Sequence, residues 1–77
     1  MNKSAVLSED EIRLLELVLN GKFTNTTSAP KDVEGMVSKG YVAKKPLVLL
    51  PMMPIKFNYE LTVYGLILLR EYRPQYS

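Results

Sequence analysis

The chain of 77 residues contains no cysteine, no histidine and no tryptophan. Without cysteine there are no disulfides, no thiolate metal sites and no thiol nucleophile. Without histidine the usual general base near neutral pH and the commonest zinc ligand are missing too. Catalysis is therefore not expected. Glycine is scarce, at four residues, and no glycine-rich phosphate loop is formed, so no cofactor is expected either. Long apolar runs are lacking as well. The longest uncharged stretch, residues 46 to 55, is about half of the ~20 residues a bilayer span needs, and the start MNKSAVLSEDE has no signal-peptide core. These absences imply a soluble, cytoplasmic protein with no membrane partner. Asn2-Lys3-Ser4 and Asn25-Thr26-Thr27 match the glycosylation pattern, which has no meaning in a chain that is not secreted.

What is present suits one small α+β domain over residues 1–77, with its core at about 8–72. At 47% hydrophobic residues the composition is that of a packed chain, near the lower size limit for a single unstapled core. The formal net charge is only +2, so its distribution matters more than its sum. Residues 1 to 20 carry net −2, residues 58 to 77 are balanced, and residues 21 to 57 carry net +4 from Lys22, Lys31, Lys39, Lys44, Lys45 and Lys56 against Asp32 and Glu34. The acids Glu9, Asp10 and Glu11 follow a capping serine and are read as helix-start residues, not as a metal cluster.

Local patterns divide the chain into elements. Ser8-Glu9-Asp10-Glu11 is a capping box, and Ile12, Leu15 and Leu19, with Leu14 and Val18 alongside, give a helix an apolar face that ends at Asn20-Gly21. KFTNTT, residues 22 to 27, has no helical period and reads as a loop or short extended segment with Phe23 anchored inward. Ser28 caps a second helix, Lys31 to Lys39, in which Pro30 is tolerated in the first turn. There Val33, Met36 and Val37 form the buried stripe, while Lys31, Asp32, Glu34, Ser38 and Lys39 face outward. Gly40 suits the left-handed position after that helix. Tyr41 to Lys45 and Lys56 to Leu61 read as two antiparallel strands, the second with Phe57, Tyr59 and Leu61 on one face. Three prolines in residues 46 to 55 make that stretch a loop. Thr62 caps a last helix with Val63, Leu66, Ile67 and Leu69 or Arg70 on successive turns, ending at Arg73-Pro74. Tyr41, Tyr59 and Tyr64 sit at core spacing and are read as packing residues.

Two segments carry a resemblance to a known family. Met36-Val37-Ser38-Lys39-Gly40-Tyr41-Val42 and Leu61-Thr62-Val63-Tyr64-Gly65-Leu66-Ile67-Leu68-Leu69 resemble, in order and separation, the end of the reading helix and the start of the final helix in winged helix-turn-helix regulators. The resemblance implies three helices with a two-stranded antiparallel hairpin, the wing, before the last helix. It also implies a transcriptional regulator that binds double-stranded DNA through the helix at about 30–39. The corresponding candidates are Ser28, Lys31 and Lys39 on the helix, Lys44, Lys45 and Lys56 on the strands, and Thr26 and Thr27 in the preceding loop. Asp32 and Glu34 on the same face would oppose phosphate, so low affinity without dimerisation is expected. Between Gly21 and Pro30 only eight residues stand where the family fits a helix and a turn. The first member of its helix pair is thus missing, replaced by an extended segment, or reduced to one turn.

The tip of the wing departs further. Family wings usually offer Arg or Lys there, whereas this tip is Leu47-Val48-Leu49-Leu50-Pro51-Met52-Met53-Pro54. Three readings are open: the loop folds back to complete the core, it inserts into DNA as a wedge, or it docks on a protein partner or a second copy of the chain through Leu47, Leu49, Leu50, Met52 and Met53. The last reading gives the alternative function, a homodimer or partner-docking module on the same scaffold. Gly65, early in a helix, costs ~1 kcal/mol against alanine and signals close helix packing.

Overall fold

The computed structural model describes residues 6–47 and 50–76. In chain order these form helix α1 (Glu9–Leu19), helix α2 (Lys31–Ser38), strand β1 (Val42–Pro46), strand β2 (Phe57–Leu61), helix α3 (Val63–Tyr72) and a short 3-10 turn (Pro74–Tyr76). The architecture is α+β and winged-helix-like, with an antiparallel hairpin before the last helix. Val42 pairs with Leu61 and Pro46 with Phe57, and one further bond, from Leu47 N–H to Lys56 O at 2.9 Å, carries the ladder toward the tip.

α1 begins as a complete capping box, Ser8 Oγ accepting from Glu11 N–H and the Glu11 carboxylate accepting from Ser8 N–H. Its buried residues are Ile12, Leu15 and Val18. Leu19, expected in that face, lies one residue beyond it and is 38% exposed. Gly21 and Gly40 follow α1 and α2 with φ of +83° and +85°, the left-handed helix stop that glycine adopts without a Cβ clash. The α2 start corrects the sequence reading. Pro30 itself is the cap residue and no side chain caps the helix; Ser28 instead turns back, its carbonyl accepting from Thr26 Oγ1 at 2.7 Å.

One hydrophobic core joins Leu7, Ile12, Leu15, Val18, Val33, Met36, Tyr41, Val42, Tyr59, Leu68 and Leu69. Tyr59 and Leu15 lie at its centre with no solvent exposure, and burying a Leu-sized side chain is worth about 1.5–3 kcal/mol. α3 meets this core through Gly65, Leu68 and Leu69, so Val63 and Ile67 fall on the solvent side, contrary to the expected stripe. The rotation follows from Gly65, whose missing Cβ lets α3 sit against the backbone of Tyr41: a Cβ there would lie 2.0 Å from Tyr41 O. Tyr64 is consequently half exposed, its ring tilted against that of the buried Tyr41 with centroids 5.2 Å apart, and is not core.

The segment between α1 and α2 is extended. Thr26 and Phe57 exchange backbone hydrogen bonds of 3.1 and 2.7 Å, and Tyr59 N–H donates to Phe23 O at 2.9 Å. This short strip lies along the free edge of β2 and replaces the helix that the resemblance calls for. On the opposite edge β1 has no strand partner among the described residues. Its Lys44-Lys45-Pro46 end discourages pairing with another strand.

Candidate nucleic-acid interface

The solvent face of α2 and the hairpin beside it hold the lysines singled out in the sequence, but the fold distributes them unevenly. Lys31 and Lys39 stand at the two ends of the exposed side of α2. There, with Gly35, Asp32, Ser8, Asp10 and Glu11, they line an open cleft of about 420 Å³ between α2 and the first turn of α1. A second, smaller cleft of about 240 Å³, bounded by Asp10, Arg13, Leu14, Leu17 and Asp32, adjoins it. Lys39 Nζ reaches Glu11 at 3.3 Å. The Glu11 carboxyl is held below its ordinary pKa, first by the backbone N–H of Ser8 and then by Lys39.

On the other flank of α2 the sequence reading is corrected. Glu34 does not face outward: its carboxylate turns to the hairpin, where it accepts the Tyr59 hydroxyl proton and lies 3.3 Å from Lys44 Nζ. Lys44 also stands over the Phe57 ring, 4.5 Å from its centroid, a cation–π arrangement. These contacts have a shared electrostatic result. The Tyr59 hydrogen bond and Lys44 lower the pKa of Glu34, whereas burial and the nearby carboxylate raise that of Tyr59, and the bond to Glu34 raises that of Lys44. Glu34, Tyr59 and Lys44 thus tie α2 to both strands.

Strand alternation sends Lys45 the other way from Lys44. Lys45 Nζ lies 3.0 Å from Glu60 on the outer face of the hairpin. Lys56 precedes β2 and has no ion pair among the described residues; the same holds for Lys22 and Lys31. Thr27 and Ser28 are exposed beside the α2 start, while Thr26 is half-buried and its hydroxyl is engaged with Ser28. The helix, Lys44 and the loop before α2 are therefore contiguous, and Lys45 is not on their side.

The wing tip is solvent-facing. Leu50 is 71% exposed, Met52 100% and Met53 55%, with Ile55 also exposed, so these side chains do not complete the core. Leu47 is half-buried, and Leu49 lies outside the described residues. Leu50 to Met53 forms a turn, Met53 N–H donating to Leu50 O at 3.3 Å, with Pro51 and Met52 at its centre. Met52 has φ +72°, the third position of a type II turn, where glycine or asparagine is normal.

One cluster had no signal in the sequence. Arg73, just past α3, pairs with Glu9 and lies 3.5 Å from Glu16 across α1; Tyr76 OH donates to Glu16 at 3.0 Å, and Leu7 N–H donates to Tyr72 OH at 3.1 Å. The C-terminal turn thus straps α1 to α3, joining residues up to 65 apart in sequence. Among the described residues no group of three or more acidic side chains is placed to hold a metal ion, and no helix is long and apolar enough to cross a membrane. No protein-family description, no curated protein and no solved structure matches this chain.

Proposed function

We propose that this chain is a DNA-binding module of low intrinsic affinity, a small regulator that presents α2 to the major groove of double-stranded DNA with the hairpin alongside. The observation that carries the reading is the juxtaposition on one side of the molecule of the exposed α2 surface (Lys31, Lys39), the loop residues Thr27 and Ser28, and Lys44, with the wing joined to the helix through Glu34. A helix with lysines at both ends and a ribbon fixed beside it is a geometry that grooves accept. Asp32 and the paired carboxylates reduce the attraction for phosphate, which places the expected affinity in the weak, salt-sensitive range. The test is a titration of the chain with a short fluorescein-labelled duplex across salt concentrations. The reading requires log K to fall as log salt rises; no binding at low salt, or a flat slope, rejects it.

A second reading is supported by a separate observation. The exposed tip, with Met52 fully in solvent on a strained turn position, is suited to docking on a protein, including a second copy of this chain. Replacing Leu50, Met52 and Met53 with serine and measuring the sedimentation mass separates the cases: loss of self-association at unchanged thermal stability supports a homodimer interface. A wild-type chain that sediments as a monomer at all concentrations removes the homodimer.

A further inference from the structure

Three of the five lysines assigned to DNA are not free. Lys39 lies 3.3 Å from Glu11, Lys44 3.3 Å from Glu34 and Lys45 3.0 Å from Glu60. The three carboxylates come from three different elements, α1, α2 and β2, so no single local pattern accounts for them. A lysine that meets a phosphate while its carboxylate stays beside it contributes no net charge to the contact, and the counterion it would otherwise help release remains bound. We propose that Glu11 is a specificity-determining residue. It neutralises Lys39 at the end of the α2 face, which holds non-specific DNA binding down so that contacts other than charge decide where α2 docks, whereas Lys45 and Glu60 pair on the outer face of the hairpin, away from that side. This rests on the DNA-binding reading. Glu34 belongs to the same arrangement, but it also accepts the Tyr59 hydroxyl proton and Lys44 is held by the Phe57 ring, so it is the least separable member.

The chemistry of the site permits removal of the charge alone. Glutamine serves as well as glutamate at the third position of a capping box, so Glu11→Gln keeps the start of α1 while releasing Lys39. Glu71 supplies the control. It is exposed on α3, whose packing is against α1, β2 and the C-terminal turn, and it has no ion pair among the described residues. Glu71→Gln changes the net charge by the same amount without releasing a lysine.

The experiment is a salt titration of a short fluorescein-labelled duplex of arbitrary sequence, followed by fluorescence anisotropy, for the wild-type chain, Glu11→Gln and Glu71→Gln. At about 0.9 in slope per neutralised phosphate, Lys31 and Lys56, the assigned lysines without an ion pair among the described residues, contribute up to roughly −1.8 to the wild-type slope. Releasing Lys39 steepens it by up to about 0.9, whereas Glu71→Gln leaves it unchanged. An equal change in Glu11→Gln and the control, or no change in either beside a measurable wild-type slope, overturns the inference and leaves the DNA-binding reading standing. Absence of binding by all three proteins at low salt overturns both. Circular dichroism melts of the three proteins establish that each is folded under the titration conditions.

Discussion

Gly65 and Gly35 are both helical glycines, yet alanine is expected to act on them with opposite signs. In a solvent-facing helix interior, glycine to alanine gains roughly 0.5–1 kcal/mol from reduced backbone entropy and better propensity. Gly35 is such a site: nothing lies within 4 Å of the position its Cβ would take. At Gly65 the new Cβ would lie 2.0 Å from Tyr41 O and 2.9 Å from Tyr41 C, both backbone atoms that no rotamer change can remove. α3 must then lift from the β1 start. Lifting strains the Thr62 N–H to Tyr41 O bond of 3.0 Å and the Thr62 Oγ1 to Gly40 O bond of 2.7 Å, each worth about 1 kcal/mol. Overpacking adds about 1–3 kcal/mol. Set against the propensity gain, Gly65→Ala costs about 2–4 kcal/mol net. In a chain of this size that lowers Tm by roughly 10–25 °C, while Gly35→Ala raises it by a few degrees. Thermal melts by circular dichroism, with urea midpoints as a check, read both. A Gly65→Ala chain as stable as wild type would refute the close approach of α3 to Tyr41, and with it the orientation that leaves Val63 and Ile67 in solvent.

Three other outcomes follow from the same contacts. Stability should fall in acid as Glu34 protonates: its folded pKa lies below the ordinary carboxylate value, so its contribution is present above the unfolded value and is lost as pH falls through the folded one. Tyr59 and Lys44, both raised, contribute below their ordinary values and lose that share as pH rises through their folded ones. Urea midpoints across pH should therefore show an acid limb that Glu34→Gln flattens, and an acid limb identical to wild type in that variant counts against the Glu34 contacts. Arg73→Gln should lower Tm by cutting the strap to Glu9 and Glu16, with the loss shrinking at high salt because the pairs are partly exposed; a loss independent of salt would point to packing instead of charge. Met52→Gly should leave stability within about 1 kcal/mol of wild type, since relief of the φ +72° strain offsets the added freedom of the unfolded chain. A large destabilisation would mean that the Met52 side chain packs, against its full exposure.

The elements themselves were legible because their signals are local. The Ser8 capping box, the Thr62 cap accepting from Gly65 N–H at 3.0 Å, the glycine stops at 21 and 40, and the alternation that buries Tyr59 all act within about one helical turn or one strand pair. The extended segment before α2 was open as one of several possibilities, and the free edge of β2, which could take the backbone groups of Phe23 and Thr26, decided it. Ser28 misled because serine two residues before a proline has the composition of a helix start, whereas the chain entered α2 through Pro30 itself.

What only the tertiary structure decided concerns partners. The sequence determined which residues carry charge and which are apolar. It could not say that Glu34 would turn inward to Tyr59, 25 residues away, that Lys39 would meet Glu11, 28 residues away, or that Arg73 would close on Glu9, 64 residues away. It likewise left open whether the apolar tip was core or surface. The physical reason is one of range: caps, turns and periodicity are set by neighbours a few residues apart, whereas ion pairing and burial depend on which elements pack together. In this chain the close approach at Gly65 and the backbone bonds along β2 fixed that packing, and the pairing of the lysines and the exposure of the apolar tip followed from it.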